Sequence, residues 1–274
     1  LGTFDGVHIG HRAIINAAID KAAELDMEPM IYTFTAHPMA LFGKQPPLLM
    51  TQSERMAALG GMGCTLSADE FSAEYAATEP EQFIKMLIER FNMGCAVAGF
   101  NYTFGRRGEG SVELIKKLGE KYGFAVEIVP PVMYKGEAVS STRIRACLEA
   151  GRVKDAGEML GAPYSITGPV IRNRGIGRTL DYPTANIAGW EDRAVPMAGV
   201  YPAVTNIGRN PTVNGEHTTI ETHMLGFDAD IYGQTLKVEF VERIRGEIRF
   251  PNVHTLATQM KADGEKARDI LKNS

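Results

Sequence analysis

The sequence of 274 residues lacks long apolar runs, paired cysteines and an excess of positive charge. No stretch of 18 apolar residues occurs, which excludes a membrane-spanning helix by the usual length criterion. Cys64, Cys95 and Cys147 form no CxxC pair, which is typical of small buried residues in a reducing compartment. The formal net charge of −4 provides no basic field for nucleic acid. We therefore expect a cytoplasmic protein with small-molecule substrates and neither nucleic-acid nor membrane partners; self-association is left open.

The most informative segment is residues 2–11, GTFDGVHIGH, which we call the histidine loop. Its glycines allow a ligand to approach the backbone, and the helix pattern that follows offers N–H groups and a positive dipole end. Histidines spaced three apart point donors at the same ligand. We predict a polyphosphate site formed by Gly2, Phe4, Asp5, Gly6, His8, Gly10 and His11. Two metal ligands, or simple turn histidines, are the alternatives.

A phosphate-binding loop normally follows a β-strand, but only Leu1 precedes this one. We therefore expect a chain shortened at its N-terminus. An absent targeting signal is then uninformative, because the segment that would carry one is not there.

Residues up to about 157 alternate between helical and strand patterns. This alternation predicts a parallel sheet flanked by helices, with its ligand at the carboxyl ends of the strands. Predicted helices cover 12–25 and 140–150, with helix starts at capping boxes Thr51/Glu54 and Thr78/Glu81 and at Ser111. Predicted strands cover 30–34, 95–98 and 124–129.

After about residue 160 the helical pattern disappears until residue 253. Short β-rich runs separated by Gly and Pro turns predict a small antiparallel barrel followed by a terminal helix. The runs are 164–171, 200–207, 219–225 and 235–241, and the helix is 253–272. We expect two domains, 1–157 and 158–274, joined around 155–163.

Three further segments carry polar residues suited to ligands. Ser140, Ser141, Thr142 and Arg145 lie at a predicted helix start, where hydroxyls and arginine can bind phosphate, unless they only cap the helix. Residues 99–105, GFNYTFG, interleave aromatics with Asn101, which suits a planar heteroaromatic ligand, or a turn with core aromatics. Residues 175–186, GIGRTLDYPTAN, combine glycines with Thr184 and Asn186, which can hold phosphate and Mg²⁺. No GxxxxGK[ST] loop occurs.

Taken together, these motifs resemble the bifunctional riboflavin kinase/FMN adenylyltransferase family. Residues 2–11 are similar to its HxGH signature, 140–145 to its [ST]-S-T-x-[IV]-R element, 99–105 to its flavin-side loop and 175–186 to its kinase signature. The resemblance implies an α/β chain with an N-terminal Rossmann-like HxGH nucleotidyltransferase domain and a C-terminal riboflavin kinase-like barrel. Asp181 departs from the family, which usually has glycine there, and a carboxylate near phosphate is repelled.

The resemblance also implies roles and ligands. Riboflavin would be phosphorylated with ATP and Mg²⁺ to FMN, and FMN would be joined to AMP, giving FAD and pyrophosphate. His8 and His11 would be catalytic in the first domain, with Asn101 and Phe104 on the flavin. In the second domain, Glu221 would be the base. ATP and Mg²⁺ would be bound by Gly175, Gly177, Arg178, Pro183, Thr184 and Asn186, and Thr184 would contact the metal. The alternatives are an enzyme with one working half and a non-catalytic flavin-binding protein.

Overall fold

A computed structural model describes residues 1–172, 184–212, 215–227 and 229–273. These residues divide into a first unit, Leu1–Ser141, and a second unit, Thr142–Ser274. The expected division of the two activities after residue 157 stays a prediction. The expected joint around 155–163 contains the end of a helix that the sequence analysis missed.

The first unit alternates helices and strands. Its elements are α1 (Ile9–Glu24), β1 (Met30–Phe34), α2 (Gln52–Gly60), β2 (Thr65–Asp69), α3 (Ala73–Ala76), α4 (Pro80–Phe91), β3 (Cys95–Gly99), α5 (Val112–Tyr122), β4 (Ala125–Val129), β5 (Met133–Tyr134) and β6 (Glu137–Ala138). Helix α6 (Ser141–Glu149) begins at its end. The strands of β1–β2 and of β3–β4 run parallel, which confirms the predicted parallel α/β architecture.

The first two residues lie between these two strand pairs. The backbone nitrogen of Leu1 donates to the carbonyl of Val97 in β3, and that of Gly2 donates to the carbonyl of Tyr32 in β1, each at 3.3 Å. The histidine loop therefore emerges beside the carboxyl end of β1, where the parallel architecture predicts a ligand site.

Helix α1 and the loop before it rest on a buried apolar cluster. Its members are Phe4, Val7, Ile15, Ile31 and Leu59, all at most 3% exposed. A second cluster, built around Phe83, Ile84, Leu87 and Ile115, packs α4 and α5 against the strands. The loop thus contributes two of its own side chains to the core, and its backbone path is fixed by packing as well as by hydrogen bonds.

The second unit is an antiparallel sheet with helices before and after it. Its elements are α7 (Val153–Leu160), β7 (Tyr164–Ile171), β8 (Ala185–Ile187), β9 (Gly199–Tyr201), β10 (Thr205–Thr212), β11 (Gly215–Thr222), β12 (Thr235–Phe240) and α8 (Val253–Lys272). The described strands form one sheet in the order β12-β7-β8-β11-β10-β9. This curled antiparallel sheet and its terminal helix confirm the predicted class of the second half.

Two local predictions are wrong, and one strand was not predicted. Glu79, not Thr78, is the N-cap residue of α4, because Pro80 takes the first helical position, where its fixed φ and missing N–H are tolerated. The run 200–207 is interrupted by a turn in which Ala203 and Val204 have φ of 64° and 48°. Strand β2 was missed because its half-buried sequence, TLSAD, has no apolar run.

Candidate active sites

The histidine loop has an unusual backbone. Phe4, Gly6 and Val7 have φ of 56°, 85° and 39°. Glycine adopts such values freely, but a β-branched valine rarely does, and residues in this region persist only where the surroundings hold them. The loop is therefore strained and needs external contacts to keep its shape.

Three side chains bind alternate carbonyl groups of this loop. An Arg55 nitrogen donates to the carbonyl of Thr3 at 2.6 Å, and the hydroxyl of Ser141 donates to that of Asp5 at 2.9 Å. Nε of Arg12 donates to the carbonyl of Val7 at 3.1 Å. The structure thus places Ser141 against the histidine loop, with its hydroxyl bound to the backbone of Asp5; its role toward phosphate stays a prediction.

Asp5, predicted to bind ATP phosphates, has a structural contact of its own. Its side chain is 5% exposed, and its oxygens accept hydrogen bonds from the backbone nitrogen of Leu49 at 3.1 and 3.2 Å. One of them also accepts from Met50 at 3.4 Å. These hydrogen bonds therefore hold the loop against the segment that precedes α2.

His8 caps helix α1, and this contact defines its tautomer. Its Nδ1 accepts a hydrogen bond from the backbone nitrogen of His11 at 3.2 Å. Burial lowers the pKa of His8 from 6.5 to about 4. The ring is therefore neutral at pH 7, carries its proton on Nε2 and can donate that proton to an oxygen atom.

His11 stacks on His8. The ring centroids are 3.5 Å apart with an interplanar angle of 15°, and Phe4 meets the His11 ring edge-on. Burial, followed by the neighbouring His8, lowers the pKa of His11 well below its usual value. Nδ1 of His11 is buried without a hydrogen-bond partner among the described residues, which leaves a polar atom for a ligand at the start of α1.

The glycines allow this close arrangement of rings. A Cβ added at Gly10 would lie 3.2 Å from the His8 ring, and one at Gly2 would lie 3.0 Å from the ring of Phe4. A side chain at either position would therefore require the neighbouring ring to shift, so the small residues favour this packing whether or not a ligand is bound.

The other predicted residues of the first domain occupy different environments. Asn101 is exposed, whereas Phe104 is 5% exposed and packs against Phe83 and Tyr102. Ser140 precedes helix α6, Thr142 lies exposed in its first turn and Arg145 lies one turn further along. Their roles toward flavin and phosphate stay predictions.

The second unit brings predicted kinase residues together through strand pairing. Asn186 in β8 is the register partner of Glu221 in β11. Thr184 is half-buried just before β8, two residues before Asn186. Carboxylate, amide and hydroxyl oxygens are the ligands that Mg²⁺ prefers. The predicted residues Gly175, Gly177, Arg178 and Pro183, together with Asp181, lie outside the described residues.

The stacked arrangement of His8 and His11 does not favour the alternative of two metal ligands in the histidine loop. No group of three or more His, Cys, Asp or Glu residues there is arranged to hold a metal ion. His8 and His11 face each other as stacked rings, with one Nδ1 already occupied by a backbone N–H.

None of the described helices is long and apolar enough to span a membrane.

Sequence reasoning missed Arg55, which is 5% exposed and contacts the loop from α2. A signal was available. Arg55 is four residues before Leu59, which is fully buried, so a charged residue occupies the apolar face of a helix. Such a residue is retained in a core only when its donors are satisfied.

The geometry defines a two-part protein: an α/β unit has a strained, glycine-containing histidine loop at the start of a helix, and an antiparallel unit pairs Asn186 with Glu221 across two strands. Comparison with known families agrees with this class. A family model described as FAD synthetase matches residues 1–143, and one described as riboflavin kinase matches residues 160–271.

Relatives match along the whole chain. The bifunctional riboflavin kinase/FMN adenylyltransferase of Bacillus subtilis is 34% identical over 100% of this chain and 92% of its own length. That of Escherichia coli K12 is 31% identical over 99% and 91%. A crystal structure of a protein named macrolide-efflux protein, from Streptococcus pneumoniae, has a TM-score of 0.88 and 33% identity, covering 98% of this chain and 92% of that one. The chain belongs to the bifunctional riboflavin kinase/FMN adenylyltransferase family.

Proposed function

We propose that this chain converts riboflavin to FMN and FMN to FAD, using ATP in both steps. The observation that carries the proposal is that each half matches its own family model and that relatives aligned along the whole chain have both activities in their names. Mg²⁺ is the expected metal, and the cytoplasm, where ATP and flavins are available, is the expected location.

In the first unit, a phosphate oxygen of FMN attacks the α-phosphorus of ATP and pyrophosphate leaves. The nucleophile is already ionised, so catalysis consists of alignment and of stabilising charge on the transferring group. The Nε2–H of His8 donates to phosphate oxygens, and His11 offers its unpartnered nitrogen. Neutral imidazoles suit this role because they donate without requiring protonation at pH 7.

In the second unit, the carboxylate of Glu221 accepts the proton of the riboflavin hydroxyl that attacks the γ-phosphorus of ATP, and ADP leaves. Thr184 and Asn186 hold Mg²⁺ and the nucleotide, and the metal neutralises charge on the phosphates. The register of β8 and β11 supports this assignment because it places Asn186 beside Glu221.

The test is a two-substrate assay of the purified chain. With riboflavin, ATP and Mg²⁺ we expect FMN first and then FAD; with FMN in place of riboflavin we expect FAD and pyrophosphate. FMN without FAD would mean that only the kinase half works, and FAD from supplied FMN only would mean the reverse. Flavin binding without ATP turnover would establish a non-catalytic protein and overturn the proposal.

A further inference from the structure

We propose that Arg55 is a positioning residue for adenylyl transfer: from α2 it holds the histidine loop in the strained shape that aims His8 at the phosphates. The inference rests on the proposed function, since it concerns the rate of FAD formation. It assigns to α2 a part in catalysis although no residue of this helix reaches the histidine rings in the described contacts.

Arg55 joins the loop to the end of β1. One guanidinium nitrogen donates to the carbonyl of Thr3 at 2.6 Å and to the hydroxyl of Thr33 at 2.9 Å. The other donates to the carbonyl of Phe34 and to the side-chain oxygen of Gln52 at 2.6 Å. A planar fork with donors on both nitrogens is needed to bind all of these oxygens at once.

These acceptors are neutral oxygens, and the guanidinium is almost wholly buried. Burial lowers the pKa of Arg55, and the Asp5 carboxylate opposes that shift. A buried cation is costly unless its donors are satisfied, so the contacts to Thr3 and Phe34 are strong and mutually dependent. Removing the side chain would leave Thr3 and Phe34 without this shared donor.

The position of the contact explains why it bears on catalysis. Thr3 directly precedes the segment 4–7, in which the backbone takes positive φ values, and His8 follows that segment. The contacts of Asp5 and Ser141 hold the loop at residue 5, and Arg12 holds it at the carbonyl of Val7. Arg55 is therefore the residue that holds the backbone directly before the strained segment. Without it, a shift of about 1 Å at His8 is enough to cost roughly 100-fold in rate.

The test compares Arg55→Gln and Arg55→Lys in the complete chain, with Arg90→Gln as the matched control. Arg90 is an arginine of the same unit whose side chain is 46% exposed and paired with Asp69. We expect Arg55→Gln to lower kcat for FAD formation from FMN about 100-fold, with a smaller change in KM for ATP. Arg55→Lys keeps the charge and can donate to some of these oxygens but lacks the planar fork, so it should recover kcat only in part, to within about tenfold of the parent. Arg90→Gln should match the parent.

FMN formation from riboflavin serves as the internal control, because it belongs to the other unit. It should be unchanged in all variants. Loss of both activities together, an effect on KM alone, or an Arg55→Gln enzyme within about threefold of the parent would overturn the inference. A parent enzyme that makes no FAD would instead contradict the proposed function.

A milder pair of variants covers the case in which Arg55→Gln does not fold. Thr33→Val removes one acceptor of Arg55 and keeps the side-chain shape, whereas Thr33→Ser retains the hydroxyl. We expect Thr33→Val to lower kcat for FAD formation about three- to tenfold and Thr33→Ser to have no such effect. Equal activity of the two variants would contradict the proposed chain of contacts.

Discussion

The two candidate sites are assembled in opposite ways. In the first unit, the histidine loop lies within ten consecutive positions, and side chains from α2, α1 and the start of α6 hold its strained backbone. In the second unit, Asn186 and Glu221 are far apart in sequence and meet through the register of two strands. The geometry of a loop held by side chains changes when a contact from a distant segment is removed, whereas the geometry of a site on a sheet changes when the strand pairing shifts.

The sharpest test of independence is Glu221→Gln. Loss of a general base typically costs 10²- to 10⁴-fold, so FMN formation should fall by that factor. FAD formation from supplied FMN should stay within about twofold, because the base belongs to the second unit only. Steady-state assays of each half-reaction measure both rates. A parallel fall in both would show that the two sites do not act separately.

His8→Ala is the converse variant. Removing a preorganised donor to the transferring phosphoryl group should raise the barrier to FAD formation by ~3 kcal/mol, about 100-fold in rate. FMN formation should be spared. Exposed His254 of α8 provides the control variant, His254→Gln, which should alter neither reaction. The assignment of His8 fails if its loss leaves FAD formation at the parental rate.

Acid should weaken the histidine site selectively. The pKa of His8 is about 4 in the folded chain and 6.5 when solvated, so the unfolded chain binds more protons between these values and stability declines as pH falls through that window. At pH 5 the loss is about 2 kcal/mol relative to pH 7.

Urea unfolding of the parent and of His8→Asn at both pH values measures this term. The variant should lose about 2 kcal/mol less stability on acidification, while His254→Gln should follow the parent. An identical pH dependence of the parent and His8→Asn would contradict a buried, neutral His8.

The smallest expected effect concerns strand pairing near Glu221. The hydroxyls of Thr205 and Thr222 are buried and 3.0 Å apart, which joins β10 to β11 next to Glu221. Thr222→Val leaves the Thr205 hydroxyl unpaired and should cost about 1 to 2 kcal/mol.

The double variant Thr205→Val/Thr222→Val is the matched control. It removes both partners and should be less destabilised than the sum of the single variants. Unfolding monitored in the second unit measures this double-mutant cycle. If the two single losses of stability simply add, the hydroxyls have no coupling free energy and do not stabilise the pairing of β10 with β11.

The sequence located several elements closely because their signals are local. The strand at Met30–Phe34, the helix at Val253–Lys272 and the capping box of Thr51 with Glu54 all depend on side chains within one or two turns. Strand β2 has no apolar run that would reveal it. Helix α7 was missed although Val153, Ala156 and Met159 repeat at helical spacing and Gly161 ends the helix, because it has only eight residues and no side-chain cap at its start. The buried position of Phe104 also depends on distant residues such as Phe83.

By itself the sequence determined the order of α/β and antiparallel halves, the family and the residue types at both sites, because each of these depends on periodicity or on short motifs. Only the tertiary structure decided that the two imidazoles are stacked and neutral, that Asp5 turns inward, that Arg55 reaches the loop and that Asn186 is paired with Glu221. These features depend on burial and on contacts between segments distant in sequence, and burial changes a side chain's charge and partners without changing its identity.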